Sequence, residues 1–128
     1  GKADKAINLE DGKTYVVELD FQVRHDDHYH SANEEIIEEK DEHFITYEFA
    51  NVNASIIRSA TDVVRNDGKK LGLSTEWKIM SPVGSNSRVN IKLNHGAQSV
   101  NDIVPSVDNQ LGNVVGGESD VNAFIDLN

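Results

Sequence analysis

Thr14-Tyr15-Val16-Val17-Glu18-Leu19-Asp20-Phe21-Gln22-Val23-Arg24 alternates apolar and polar side chains with a period of two. Tyr15, Val17, Leu19, Phe21 and Val23 share one parity; Thr14, Glu18, Asp20, Gln22 and Arg24 share the other, with Val16 the exception. Successive side chains of an extended backbone point to opposite faces, so residues 14–24 read as one half-buried strand. The Asp11-Gly12 pair before it is a turn signal.

Working outward, four more segments alternate in the same way. Their inward sets are Ile45, Tyr47 and Phe49; Thr75, Trp77 and Ile79; Val89, Ile91 and Leu93; and Val121, Ala123, Ile125 and Leu127. Residues 54–60 read as a further strand whose register is open, because Ile56 and Ile57 are adjacent. Asn66-Asp67-Gly68, Ser81-Pro82-Val83-Gly84 and Gly116-Gly117 punctuate these segments. The core is expected to contain Tyr15, Val17, Leu19, Phe21, Ile45, Tyr47, Phe49, Trp77, Ile91 and Leu93. Residues 96–117 show no clear period, which marks a functional loop, a mobile one or an unrecognised strand, with an edge piece at 103–107.

One stretch breaks the two-residue period. Ser31-Ala32-Asn33-Glu34 reads as a capping box opening a helix that runs to His43. Only Ile36 and Ile37 give that helix an apolar face. Several strands, many turns and one short acidic helix predict a mostly β protein, an antiparallel immunoglobulin-like β-sandwich forming a single domain over residues 1–128, with residues 1–10 loose. A chain of 128 residues suits one such domain.

Composition removes several function classes. With no cysteine there is no disulfide scaffold, iron–sulfur site or thiol nucleophile. A net charge of −10 opposes binding to a nucleic-acid backbone or an anionic membrane surface. No apolar run approaches the ~20 residues of a membrane-spanning helix. No nucleophile elbow, phosphate loop or His-Glu-x-x-His motif is present, so the chain reads as non-enzymatic.

The charge is concentrated. Residues 26–42 hold eight acids against one base, −7 of the total −10, and four of the five histidines lie in or beside this stretch. In His25-Asp26-Asp27-His28-Tyr29-His30, imidazoles and carboxylates suit Zn²⁺ or another divalent transition metal. Two positions apart on an extended backbone, His28 and His30 share a face, with His25 reaching in from the strand end. Glu39 and His43, one helical turn apart, are the second pair of candidate ligands. Pairing of the 14–24 strand with the one starting at residue 44 would bring both groups to one end of the sandwich. His95, inward in parity at a strand end, reads as a hydrogen-bonded structural residue, and Asp120 as a cap of the Gly116-Gly117 turn.

The row Glu34, Glu35, Glu38 and Glu42 offers an alternative role: docking a basic surface of a receptor or transporter. Haem capture by the clustered histidines ranks last, because the eight aromatic residues are mostly assigned to strands.

Taken in order, Glu34-Glu35-Ile36 with Glu38-Glu39 and Asp41-Glu42-His43, then Leu71-Gly72-Leu73-Ser74-Thr75-Glu76-Trp77, Val89-Asn90-Ile91-Lys92-Leu93-Asn94-His95 and Gly116-Gly117-Glu118-Ser119-Asp120-Val121, resemble a family of small exported lipoproteins of Gram-negative bacteria. Its members are loosely labelled as similar to periplasmic binding proteins and have no established activity. The resemblance runs from about Leu9 to the C-terminus. It implies export, a lipid-anchored precursor and a periplasmic or cell-surface role at the envelope, with an outer-membrane receptor or transporter as the expected partner. A start at Gly rather than Met reads as a processed mature form or as a chain from which a leader has been removed. The family's acidic loop is replaced here by Thr61-Asp62-Val63-Val64-Arg65-Asn66-Asp67-Gly68, followed by Lys69 and Lys70, which weighs against calcium there.

Overall fold

A computed structural model describes residues 5–102 and 110–128. The proposed edge piece at 103–107 lies outside the described residues. The chain is mostly β, with several antiparallel sheets and one short helix, consistent with a β-sandwich.

One sheet has the strand order β11-β7-β4-β9, formed by β4 (His43–Ala50), β7 (Arg88–His95), β9 (Gln110–Leu111) and β11 (Glu118–Asp126). The other has the order β1-β6-β5, formed by β1 (Thr14–Glu18), β5 (Ala54–Arg58) and β6 (Ser74–Ile79). A shared core holds residues of both sheets, including Ile45, Tyr47, Phe49, Trp77, Ile79, Val89, Ile91 and Leu93. Trp77 of β6 is fully buried and meets Tyr47 and Phe49 of β4 edge-on, at centroid distances of 6.2 and 5.0 Å. Each such pair contributes about 0.5–1.5 kcal/mol beyond the area it buries. Tyr15, Val17, Leu19 and Phe21 are only partly buried and pack against this core rather than inside it.

The expected single strand at 14–24 is broken. β1 pairs with β6, while β2 (Gln22–His25) turns back on β3 (His28–Ser31) as a separate ribbon. Between them the backbone of Leu19 and Phe21 bonds to a side chain. The Asn33 amide donates to the Leu19 carbonyl at 2.7 Å, and its oxygen accepts the Phe21 N–H at 2.9 Å. Asn33 thereby stands in for a neighbouring strand over one step. β1 also lies in the sheet opposite β4, so the expected pairing of these two strands does not form.

The helix is shorter than expected. α1 (Asn33–Glu38) buries only Ile36 and stops at Glu39, and a 3-10 turn (Lys40–Glu42) follows. Like charges one turn apart destabilise a helix by ~0.2–0.5 kcal/mol per pair, and little apolar surface offsets them here. The N-cap is Ala32, without a side-chain cap. Ser31 instead accepts the Asn33 N–H at 3.2 Å and donates its hydroxyl to Asp20. That bond and one from Gln22 lower the Asp20 pKa.

The structure also gives form to three further segments. Within 96–117 the described residues include β8 (Ser99–Asn101), β9 and β10 (Asn113–Val115), with β8 and β10 paired. Of the stretch 1–10 expected to be loose, residues 1–4 lie outside the described residues, while Leu9 is buried and Ile7 exchanges backbone bonds with Asp126 and Asn128. In β5 the inward residues are Ala54, Ile56 and Arg58, and Ile57 faces solvent. The buried Arg58 guanidinium donates to the carbonyls of Ile45, Leu71 and Asp102 and lies 4.3 Å over the Phe44 ring.

Candidate metal centre

β4 and β7 run antiparallel in a register that puts His43 opposite His95 at the end of the ladder. Just outside this pair the Gly96 N–H donates to the Glu42 carbonyl at 2.9 Å. The two histidines are therefore a non-hydrogen-bonded pair, the kind in which cross-strand side chains approach most closely. Their rings stack with centroids 4.8 Å apart and planes 15° from parallel. His43 shares the inward parity of Ile45 and Tyr47 and is buried, whereas the His95 side chain remains 41% exposed.

The third group arrives through an irregularity. Along β11 and β7, Glu118 pairs with His95 and Ser119 with Asn94, but the next partner of β11 is Val121, opposite Leu93. Asp120 is the extra residue of a β-bulge. Continuing the register of Glu118 and Ser119 would put Asp120 opposite Leu93; the bulge gives that place to Val121 and leaves Asp120 without a ladder partner. A bulge disrupts the ladder locally and bends its strand, which re-aims side chains beside it. The start of β11 is set by Gly117, at φ +79°, where a Cβ would stand 2.7 Å from the His95 carbonyl oxygen.

Asp120 Oδ2 lies 3.4 Å from His95 Nδ1 and 3.7 Å from His43 Nε2. Both separations exceed the ~2.7–3.2 Å of an N–H···O bond. They approach another geometry: ligand atoms ~2.05 Å from a tetrahedral Zn²⁺ stand about 3.3 Å apart. All three ligand atoms lie within 4.8 Å of one another, and among the described residues this is the one group of three or more His, Asp or Glu that converges so closely.

His43 is oriented by the chain before it. Its Nδ1 is 3.1 Å from the Glu39 carbonyl oxygen, and since a carbonyl only accepts, Nδ1 carries the proton. The Nε2 lone pair is then free toward Asp120. Metal-ligating histidines are commonly fixed by such a bond from the other ring nitrogen to a carbonyl. Two imidazoles and one carboxylate suit Zn²⁺ and its transition-metal neighbours rather than Ca²⁺ or Mg²⁺.

Of the sequence candidates, only His43 belongs to this group. His25, His28 and His30 lie exposed on the β2–β3 ribbon, where the His25 ring meets His28 and His30 at centroid distances of 5.9 and 6.1 Å. The two-residue turn between these strands places Asp26 at φ +57°. Glu39 meets His43 through its backbone carbonyl, its carboxylate being exposed. Glu34, Glu35, Glu38 and Glu42 are exposed as well. His95 and Asp120, which the sequence reads as structural, complete the group. Inward parity was the signal available for His95; nothing local marks the bulge. In the 61–68 loop, Asp62 accepts the N–H groups of Gly72 and Ser74, and Asp67 accepts that of Lys69 and pairs with Arg65, so both acids are engaged internally.

Comparison of the chain with protein-family models, with curated proteins and with solved structures finds no match.

Proposed function

We propose that this protein is a non-enzymatic binding module that takes up a divalent transition-metal cation, with zinc the best fit, through His43, His95 and Asp120. The observation that carries it is the pair of separations, 3.4 and 3.7 Å, from one carboxylate oxygen to two imidazole nitrogens, too long for hydrogen bonds and close to a tetrahedral edge. The three ligands leave a fourth position for water or another donor. The acidic run at 26–42 lends support, since a negative field raises the local concentration of cations. The frame is a sandwich of immunoglobulin-like type, a reading supported by two antiparallel sheets packed around a buried tryptophan. The resemblance to exported lipoproteins adds an envelope setting, with the molecule outside the cytoplasm and lipid-anchored in its precursor.

Calorimetric titration of Zn²⁺ into metal-free protein tests the centre. One equivalent is expected to bind the parent, with affinity falling at least tenfold in His95→Ala and in Asp120→Asn. Undiminished binding in both variants would refute the assignment. A second reading has its own observation: Glu34, Glu35, Glu38 and Glu42 are all exposed around a six-residue helix anchored by Ile36. Docking through that row predicts association with a basic partner that weakens steeply with salt.

A further inference from the structure

We infer that the fourth position of this centre, on the metal-binding reading above, is taken by the head of a single-chain carboxylate whose hydrocarbon tail lies in the adjoining apolar cavity. His43 and Asp120 are ligands of the centre and also wall residues of a cavity of about 510 Å³. Its other walls are largely apolar: Phe21 from the segment joining β1 to β2, Ile36 from α1, Ile91 from β7, and Ala123 and Ile125 from β11. This volume lies in the ~300–1,000 Å³ range of small-molecule sites, which pair an apolar lining with a few converging polar groups.

The chemistry of the head follows from charge. Two neutral imidazoles and one carboxylate leave a bound divalent cation with a net charge of +1, which one further carboxylate neutralises. Among the described residues the one acid on the wall besides Asp120 is Asp20, and its two oxygens already accept from Ser31 and Gln22. An anionic head away from the metal would meet a protein of net charge −10, so the cation is what makes an acid the preferred occupant. The chemistry of the tail follows from the lining: it offers few hydrogen-bonding partners, and each methylene buried against it favours binding by ~0.8 kcal/mol, about fourfold in affinity.

The test is a calorimetric series of acetate, butyrate, hexanoate and octanoate titrated into the zinc-loaded and the metal-free protein. Affinity for the loaded protein is expected to rise about fourfold per methylene, and octanoate to bind the metal-free protein at least tenfold more weakly. Ala123→Phe, which fills the cavity away from the ligands, is expected to keep zinc affinity and flatten the chain-length dependence. The series on the parent stands by itself if that variant does not fold. If zinc binds but octanoate binds no tighter than acetate, or binds equally without metal, this inference is overturned and the centre stands. If zinc does not bind, both fall.

Discussion

His43 and His95 share one rung of the β4–β7 ladder, with stacked rings 4.8 Å apart that both face Asp120 Oδ2. Two imidazoles in such contact are compatible when neutral and repel when both are protonated, and one carboxylate neutralises only one of the charges. A divalent cation between them requires both lone pairs free.

Zinc is therefore expected to raise the melting temperature near pH 7.5 and not at pH 5, where protons compete for imidazole. At ~100 times the dissociation constant the gain is about 2.7 kcal/mol, on the order of 10 °C for a domain of this size. His28→Ala with His30→Ala should retain the shift and His43→Ala should lose it, as scanning calorimetry would read directly. Loss of the shift in the hairpin double variant would move the site to the ribbon.

Gly117→Ala should both destabilise the protein and weaken zinc binding. The new Cβ would press on the His95 carbonyl oxygen and on Ala97, at a φ of +79° that side chains rarely adopt. A loss of about 1–3 kcal/mol is expected in urea denaturation. Because the same contact sets where the bulge begins, zinc affinity should drop with it. A variant equally stable and equally avid would show that Asp120 is placed by other contacts.

Arg58→Lys should destabilise strongly despite preserving the charge. Three carbonyls, those of Ile45, Leu71 and Asp102, receive the planar guanidinium fork, which a lysine cannot reproduce. A loss of about 3 kcal/mol or more is expected from the denaturation midpoint, and a loss under 1 kcal/mol would mean that water replaces the missing donors.

Tyr47→Phe should change the alkaline limb of the stability curve. Burial pushes the Tyr47 phenol well above its ordinary value, and its hydroxyl donates to the Gly72 carbonyl. In the unfolded chain the phenol ionises near pH 10, so above that pH the unfolded state binds fewer protons than the native state. Its stabilising contribution is thus complete below pH ~10 and declines as pH rises, by up to ~1.4 kcal/mol per unit. Burial acts on Arg58 with the opposite sign: its pKa falls to about 10, so the unfolded chain holds the extra proton above that value and stability rises with pH. Arg58 is common to both proteins, so their difference reads Tyr47 together with its coulombic coupling to Arg58. Tyr47→Phe is expected to be about 1 kcal/mol less stable at pH 8 and to narrow that gap by pH 11. Parallel curves would show that the phenol does not titrate across the transition.

What could be read from the chain alone is whatever the local backbone dictates. Alternation along residues 44–49, 74–79 and 88–95 places Ile45, Tyr47, Phe49, Trp77, Ile91 and Leu93 inward, because the two-residue period belongs to a single strand and needs no partner. The acidic composition around α1 likewise announced a helix only weakly tied to the core. Everything that depends on what lies opposite was decided in three dimensions. The Asn33 amide interrupts the 14–24 strand, β1 pairs with β6 rather than β4, and Arg58 turns inward where carbonyls from distant segments meet it. The candidate centre belongs to this second kind. His43 acquires its partner from the register of β4 on β7, and Asp120 lies beside both rings where one residue of β11 goes unpaired. Strand register and bulges are set by contacts between segments far apart in sequence, which no local pattern of residues encodes.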